Sequence, residues 1–180
     1  MTTQFIPDVF LSLMPSIIDK VGFDVFFEFG HYKEIVKNQT IKSGNPDKPH
    51  RYPLLWLVMD FEEQHGKYNG IYAESDFQII IAMDTTVNRT MKERRDEVFL
   101  PILYPIYDAL IETILDTPKI VTLGNDLKHS KTDRPYWGGQ DNYGNGESNL
   151  FNDHIDAVQL KIPQLKIKDT CTDFKKLKKI

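Results

Sequence analysis

The sequence predicts an α+β domain: one mainly antiparallel sheet with an N-terminal helix and one long helix packed on it, and a long loop before the last strand. Two apolar segments of strand length, 53–59 and 77–83, follow each other along the chain. A helical apolar repeat fills 96–116, and apolar and polar side chains alternate over 155–168. Helices and strands that occur in separate runs along a chain are typical of the α+β class.

The N-terminal region predicts a short helix over 8–20. Its apolar side chains recur at helical spacing from Val9 to Val21, which is the pattern of a helix with one buried side. Pro15 is expected to kink this helix or split it, because proline lacks the N–H that a helix interior needs. Residues 24–30, with three phenylalanines, predict the first strand, which ends at a glycine.

The stretch "RYPLLWLVMDF" (51–61) predicts a strand that is buried on both faces. Its apolar side chains occupy alternate sides, with Leu54, Trp56 and Val58 on one and Leu55, Leu57 and Met59 on the other. A strand that is apolar on both sides is central in its sheet. The Asn-Gly turn signal in 65–70 predicts antiparallel pairing with 77–83. We expect Trp56 to be buried against the long helix, and the N-terminal helix or a neighbouring subunit to cover the other face.

The long helix is predicted over 96–116, where an apolar stripe runs along one side. Pro101 suits the first helical turn, and Pro105 predicts a kink or a later start. The last strand is predicted over 155–168, and Pro163 marks a break or a sheet edge within it.

The domain organisation follows from these elements. We expect a single domain over 1–168, a long loop rich in Gly, Asn and Asp at 124–151, and a basic tail at 169–180. The net charge is −4, but the last 20 residues carry +5, so the rest of the chain carries −9. That balance disfavours general nucleic-acid binding. The longest continuous apolar runs are too short to span a membrane. The first ten residues carry Asp8 and no positive charge, so we expect no secretory signal there.

The lysine-rich tail has two interpretations. It is either a solvated end of the chain or a basic arm that docks on an acidic neighbour. Its interface candidates are the four lysines that follow Phe174, namely Lys175, Lys176, Lys178 and Lys179.

Aromatic side chains inside the long loop form the second set of interface candidates. They are Tyr136, Trp137 and Tyr143, with Arg134 beside them. Tyrosine, tryptophan and arginine are enriched at the energetic centres of protein interfaces. The alternative is that these aromatics fold back as a local core under the loop.

Catalytic patterns are weak in this sequence. The five histidines are scattered, the single cysteine lies in the lysine-rich segment, and no phosphate-binding glycine loop is present. The best enzymatic alternative is a magnesium-dependent nuclease, with carboxylates and a lysine on neighbouring strands. Its candidates are Asp60, Glu62, Asp76, Asp84 and Lys161. The acidic residue expected two positions before the lysine is missing, so we expect no catalytic residue, metal or cofactor.

The order of these segments resembles that of tail-terminator and head–tail connector (neck) proteins of tailed bacteriophages. The segments are "VFLSLMPSIIDKV", "VFFEFG", "YPLLWLVMDF", "DFQIIIAM", "VFLPILYPIYDALIETI" and "DAVQLKIPQLKI". The likeness covers nearly the whole chain and is greatest to crAss-like phages. The long loop and the lysine-rich tail depart from the simpler members of this family.

The resemblance implies a structural virion protein without catalysis, assembled in the host cytoplasm and located in the neck or tail. It implies a ring of six or twelve identical copies around a DNA channel, stacked on adjacent neck, portal-side or tail proteins. DNA would pass through without sequence-specific binding. A small phage enzyme and a monomeric adaptor or regulatory module remain the alternative functions.

Overall fold

The computed structural model describes residues 5–31, 33–35, 38, 52–59, 61–64, 71–86, 88–122, 126–137 and 154–168. These residues form the predicted α+β fold, with a mostly antiparallel sheet and helices packed on it. The described strands are β1 (Phe26–Gly30), β2 (Leu54–Val58), β3 (Ile71–Thr85), β4 (Ile120–Val121), β5 (Ser130–Trp137) and β6 (His154–Lys168). The strand order is β1-β2-β3-β6-β4, and β5 pairs with β6 beside β4.

The N-terminal helical region is split into two helices, which is one of the two outcomes predicted from Pro15. Helix α1 covers Ile6–Leu11 and helix α2 covers Met14–Val21. Pro15 lies in the first turn of α2, where its missing N–H has no helical partner to lose. Gly22 ends α2 in the left-handed conformation, at φ 77°.

The long helix, α3 (Met91–Asp116), begins five residues before the predicted start. Thr90 and Glu93 form a reciprocal capping box that fixes this earlier start. The placement of Pro101 in the first turn is therefore wrong. Pro101 lies inside a π-helical segment, Arg95–Leu103. In a π-helix each N–H bonds the carbonyl five residues earlier, as the Tyr104 N–H bonds the Phe99 carbonyl here.

Sheet pairing agrees with the expected antiparallel β2–β3 pair, whereas β1 and β2 are parallel. Strand β2 lies between β1 and β3, and all five of its residues are buried. The expectation of a strand covered on both faces is thus confirmed. Strand β6 is also confirmed, and it pairs with β3 along nearly its whole length.

Two expectations about the faces of the sheet are wrong, namely that Trp56 packs against the long helix and that the N-terminal helix covers the other face. Cover by a neighbouring subunit stays a prediction. Both α1–α2 and α3 pack on the same face, where Leu55 and Leu57 point. Trp56 is buried, at 1% exposure, but in a second cluster on the opposite face, with Ile35, Ile80, Ala82, Ile155 and Ala157. Strand alternation separates Trp56 from its neighbours in sequence, and it does not reveal which face the helices cover.

The predicted long loop contains a strand. Strand β5 pairs with β6 from Ser130↔Lys161 to Trp137↔Ile155. Its side chains are polar and mostly exposed, so the apolar alternation that identifies a half-buried strand is absent from the sequence. Residues 124–125 and 138–151 of the predicted loop, like the lysine-rich segment 169–180, lie outside the described residues.

The break predicted at Pro163 is a bulge within β6. The register between β3 and β6 shifts between Phe77↔Ile162 and Ser75↔Leu165. Gln164 takes the left-handed conformation there, at φ 52°, and its backbone N–H donates to Asp76 Oδ1 over 2.8 Å. Extra residues in one strand bend it and increase its twist. The outer partner of β6 also changes at this bulge, from β5 to β4.

By length and composition alone, α3 is a candidate membrane span. Its apolar residues are interrupted by polar ones, so no long continuous apolar run marks it in the sequence. Its side chains include Val98, Leu103, Ile106 and Leu110, all buried in the core against the sheet. A core helix of a folded domain meets the same length and composition criteria.

Candidate assembly surface

An apolar groove of about 410 Å³ lies between the first half of α3 and strand β5. Its lining side chains are Met91, Lys92, Arg95, Phe99, Tyr104, Asp133 and Pro135. Met91 is 62% exposed, and Leu100 on the same helix is 44% exposed. Large apolar side chains that are exposed next to a groove are typical of a protein-contact surface.

Tyr104 joins the two walls of this groove. Its hydroxyl donates to Asp133 Oδ2 across 2.7 Å, and its ring packs edge-on against Phe99 at 5.9 Å between centroids. The Lys131 ammonium lies 3.8 Å from the centre of the Tyr104 ring and 2.8 Å from Asp133 Oδ1. The hydrogen bond to Asp133, together with burial, raises the pKa of Tyr104. Tyr104 therefore stays protonated as the donor that holds β5 against the helix.

A buried ion pair lies beside the groove, where α3 begins. Arg94 Nη1 donates to Asp156 Oδ1 at 2.6 Å, and both side chains are almost fully buried. Arg94 donates three further hydrogen bonds, to the Arg89 carbonyl, the Thr85 hydroxyl and the Thr86 carbonyl. Because each end of the guanidinium has an acceptor, the desolvated charge is compensated. The cluster fixes the start of α3 to strands β3 and β6.

Tyr136 completes this cluster from β5. Its ring lies 4.4 Å from the Arg94 guanidinium carbon, and its backbone N–H donates to Asp156 Oδ1 across 2.9 Å. Tyr136 adopts φ 62°, at a register shift between β5 and β6. The Tyr136 hydroxyl and Asp156 Oδ2 are buried without a hydrogen-bond partner. The left-handed residue turns the aromatic ring inward, over the arginine.

The sequence-predicted interface residues occupy different environments. Arg134 is exposed, and its Nε donates to Gln159 Oε1 at 3.2 Å. Tyr136 is half-buried over Arg94, and Trp137 is half-buried with its ring 6.0 Å from Trp56. These two aromatics fold back onto the domain. Their contact with another subunit stays a prediction, and Tyr143 and the four lysines lie outside the described residues.

The residues considered for a nuclease site are brought together only in part. Asp76 lines one cavity with Glu62 and another with Lys161, but Asp84 lies elsewhere. Asp76 and Asp84 are eight residues apart on β3, about 26 Å at ~3.3 Å per residue. Asp76 instead accepts the Gln164 N–H at the bulge. Asp60 lies outside the described residues, and among those described no three His, Cys, Asp or Glu side chains form a group that could hold a metal ion.

The groove itself was missed from sequence, although one signal for it was present. The "TMKE" stretch, Thr90 to Glu93, matches a capping box and would have placed Met91 in the first turn of the helix. The polar sequence of β5 concealed the other wall.

A scan against protein-family models and a search of curated proteins both find no match for this chain. A function for this chain is therefore inferred from the contacts of its own residues and from the resemblance to phage proteins. That resemblance stays a prediction.

Proposed function

We propose that this chain is a structural virion protein, a ring subunit in the neck or tail of a tailed bacteriophage, as a tail terminator or head–tail connector. The groove between α3 and β5 is the observation that carries an assembly role, because its lining is mostly apolar and includes the exposed Met91. Leu100, on the same helix, is a second exposed apolar side chain. The order of helices and strands, which suggested the phage family from sequence, supports the more specific placement.

A closed ring of identical copies needs two different surfaces on each copy, because each subunit meets the next head to tail. The groove serves as one of these surfaces in our proposal. A protruding apolar side chain of the adjacent copy would displace water from Phe99 and Pro135, which gives association a hydrophobic driving force.

The groove is well suited to repeated docking because its walls are held before any partner arrives. The Tyr104–Asp133 hydrogen bond fixes β5 to α3, and the Arg94–Asp156 ion pair fixes the start of α3 to the sheet. A surface that is already ordered loses less conformational entropy on binding. Rigid subunits also set the angle between neighbours, which determines the copy number of a ring.

The charge of the chain is compatible with passage of DNA rather than its capture. Outside the last 20 residues the chain carries a net −9, and negative surfaces repel the phosphate backbone over about a Debye length of ~8–10 Å. In a neck or tail ring, a channel of this character would let DNA pass without sequence-specific binding.

Native mass spectrometry of the purified chain, with negative-stain electron microscopy, tests this proposal. We expect a discrete ring of identical copies. Met91→Lys and Leu100→Lys should each shift the chain toward monomer, because a charge then lies in the apolar contact. Asp108→Lys adds the same side chain at an exposed position on the same helix and should leave the ring intact.

Two results contradict the proposal in different ways. A wild-type chain that stays monomeric across a broad concentration range would favour the adaptor or regulatory module. Rings that form equally well with lysine at Met91 and at Leu100 would remove the groove from the interface.

A further inference from the structure

We infer that an aromatic patch at the β1 edge, formed by Phe5, Phe27 and Phe29, is the docking site for the lysine-rich segment 169–180 of a neighbouring copy. This inference rests on the proposed ring and names a second contact within it. The patch lies on the helix-covered face of the sheet, where α1 begins beside the edge strand.

The patch is apolar and open. Phe5 is 48% exposed and Phe29 is 42% exposed. Their rings meet edge-on, with centroids 5.5 Å apart, and the Phe27 ring lies 6.2 Å from that of Phe29. The aromatic contact holds both exposed rings in place, so the patch is a shaped surface and not a set of isolated side chains.

The backbone of β1 is also open at this patch. The Phe26 N–H bonds the Pro53 carbonyl, and the Gly30 carbonyl accepts from the Met59 N–H. Along a strand, the backbone N–H and C=O groups of successive residues point to opposite sides. Those of Phe26 and Gly30 point toward β2, so those of Phe27 and Phe29 point away from it. No described strand lies on that side, because β1 is the edge of the sheet. Such an edge can accept another segment of chain.

Two carboxylates lie beside the patch. Asp8 is exposed in the first turn of α1, where its N–H bonds the Phe5 carbonyl at 3.0 Å. Glu34 is exposed, and its carboxylate lies close to Gly30, the residue after Phe29. Neither carboxylate forms an ion pair with another described residue. The fitting partner therefore combines apolar side chains with positive charge.

Segment 169–180 has this chemistry. Phe174, Leu177 and Ile180 are each separated by two lysines. Paired as a strand with β1, the segment would place Phe174 and Ile180 on the same side, against the phenylalanine rings, because side chains alternate along a strand. The lysines around them would meet the carboxylates at the rim. Exposed ion pairs of this kind are weak and are screened by salt, so the aromatic contact supplies most of the affinity.

The distance from Lys168 favours a neighbouring copy over the same chain. Phe29 pairs across the sheet with Leu57, Ile79 and Leu160 in turn. Leu160 is thus three strand spacings from Phe29, and Lys168 lies eight residues further along β6. The direct distance from Phe29 to Lys168 is about 30 Å. Phe174 follows Lys168 by six residues, which reach at most about 22 Å when fully extended. Phe174 therefore cannot reach the patch of its own copy, so Phe174 and Ile180 cannot both lie on it.

The single native cysteine, Cys171, lies in this segment and provides the test. Asp8→Cys places a second thiol beside the patch of the full-length chain. After mild oxidation we expect covalent multimers, in which mass spectrometry identifies a disulfide between Cys171 of one copy and the introduced thiol at position 8 of the next. Adding Phe29→Lys to Asp8→Cys should abolish this link, since it removes the aromatic surface and repels the lysines.

Two controls make the result specific. Asp108→Cys, at an exposed position on α3, should give no link to Cys171, and the unmodified chain reports any pairing of Cys171 with itself. A ring by native mass in which the introduced thiol at position 8 forms no link to Cys171 overturns this inference and leaves the proposed function standing. A link formed only within one copy also overturns it. A chain that is monomeric by native mass overturns the proposed function instead.

Discussion

Arg94 and Asp156 form a buried ion pair at 2.6 Å, between a helix and a strand that are 62 residues apart in sequence. The pair lies where the start of α3 meets β3, β5 and β6, and Tyr136 covers it from β5. Its position connects both walls of the assembly groove to the sheet. Removing either charge would leave the other buried without compensation.

Arg94→Met is expected to lower the free energy of unfolding by about 3–5 kcal/mol, the range for breaking one side of a buried pair. Arg94→Met combined with Asp156→Leu should recover part of this loss, because no uncompensated charge remains. Urea unfolding followed by circular dichroism measures both. A loss below about 1 kcal/mol for the single variant would show that the pair is exposed to water.

Trp56→Ala is expected to lower the free energy of unfolding by about 3–5 kcal/mol, as for other large aromatic deletions from a core. The indole is 1% exposed and donates to the Gly30 carbonyl at 3.3 Å. Its fluorescence in a Trp137→Phe background should be that of a buried indole. Emission at the wavelength of free tryptophan in that background would contradict the burial of this face.

Gln164→Gly is expected to keep or raise stability, and Gln164→Val is expected to lower it by about 1–2 kcal/mol. The reason is the left-handed backbone, φ 52°, which glycine adopts freely and a β-branched side chain does not. Thermal unfolding of the two variants side by side measures the difference. Equal midpoints would mean that the bulge at 163–164 has another backbone conformation.

Ending the chain after Lys168 is expected to weaken association of copies, and more so at low salt than at high salt. The four removed lysines act through exposed charge, which salt screens with a Debye length of about 8 Å at physiological ionic strength. Sedimentation velocity across a salt series measures the effect. If full-length and shortened chains assemble alike at every salt concentration, the segment is a solvated end.

The sequence by itself determined which segments are helices and which are core strands. The periodicities in 53–59, 77–83 and 155–168 indicated β2, β3 and β6, because a buried strand records its burial in local apolar patterning. The α+β class followed from the order of these segments. The same reasoning missed β5, because an exposed edge strand has no such pattern.

Only the tertiary structure decided which faces and surfaces these elements share. It placed both helical regions on one face of the sheet and Trp56 on the other, beside Trp137. It also brought Met91 next to Pro135 in the groove. These relationships depend on pairings between residues tens of positions apart. Local periodicity records that a side chain is buried, whereas its partner is set by the packing of the whole chain.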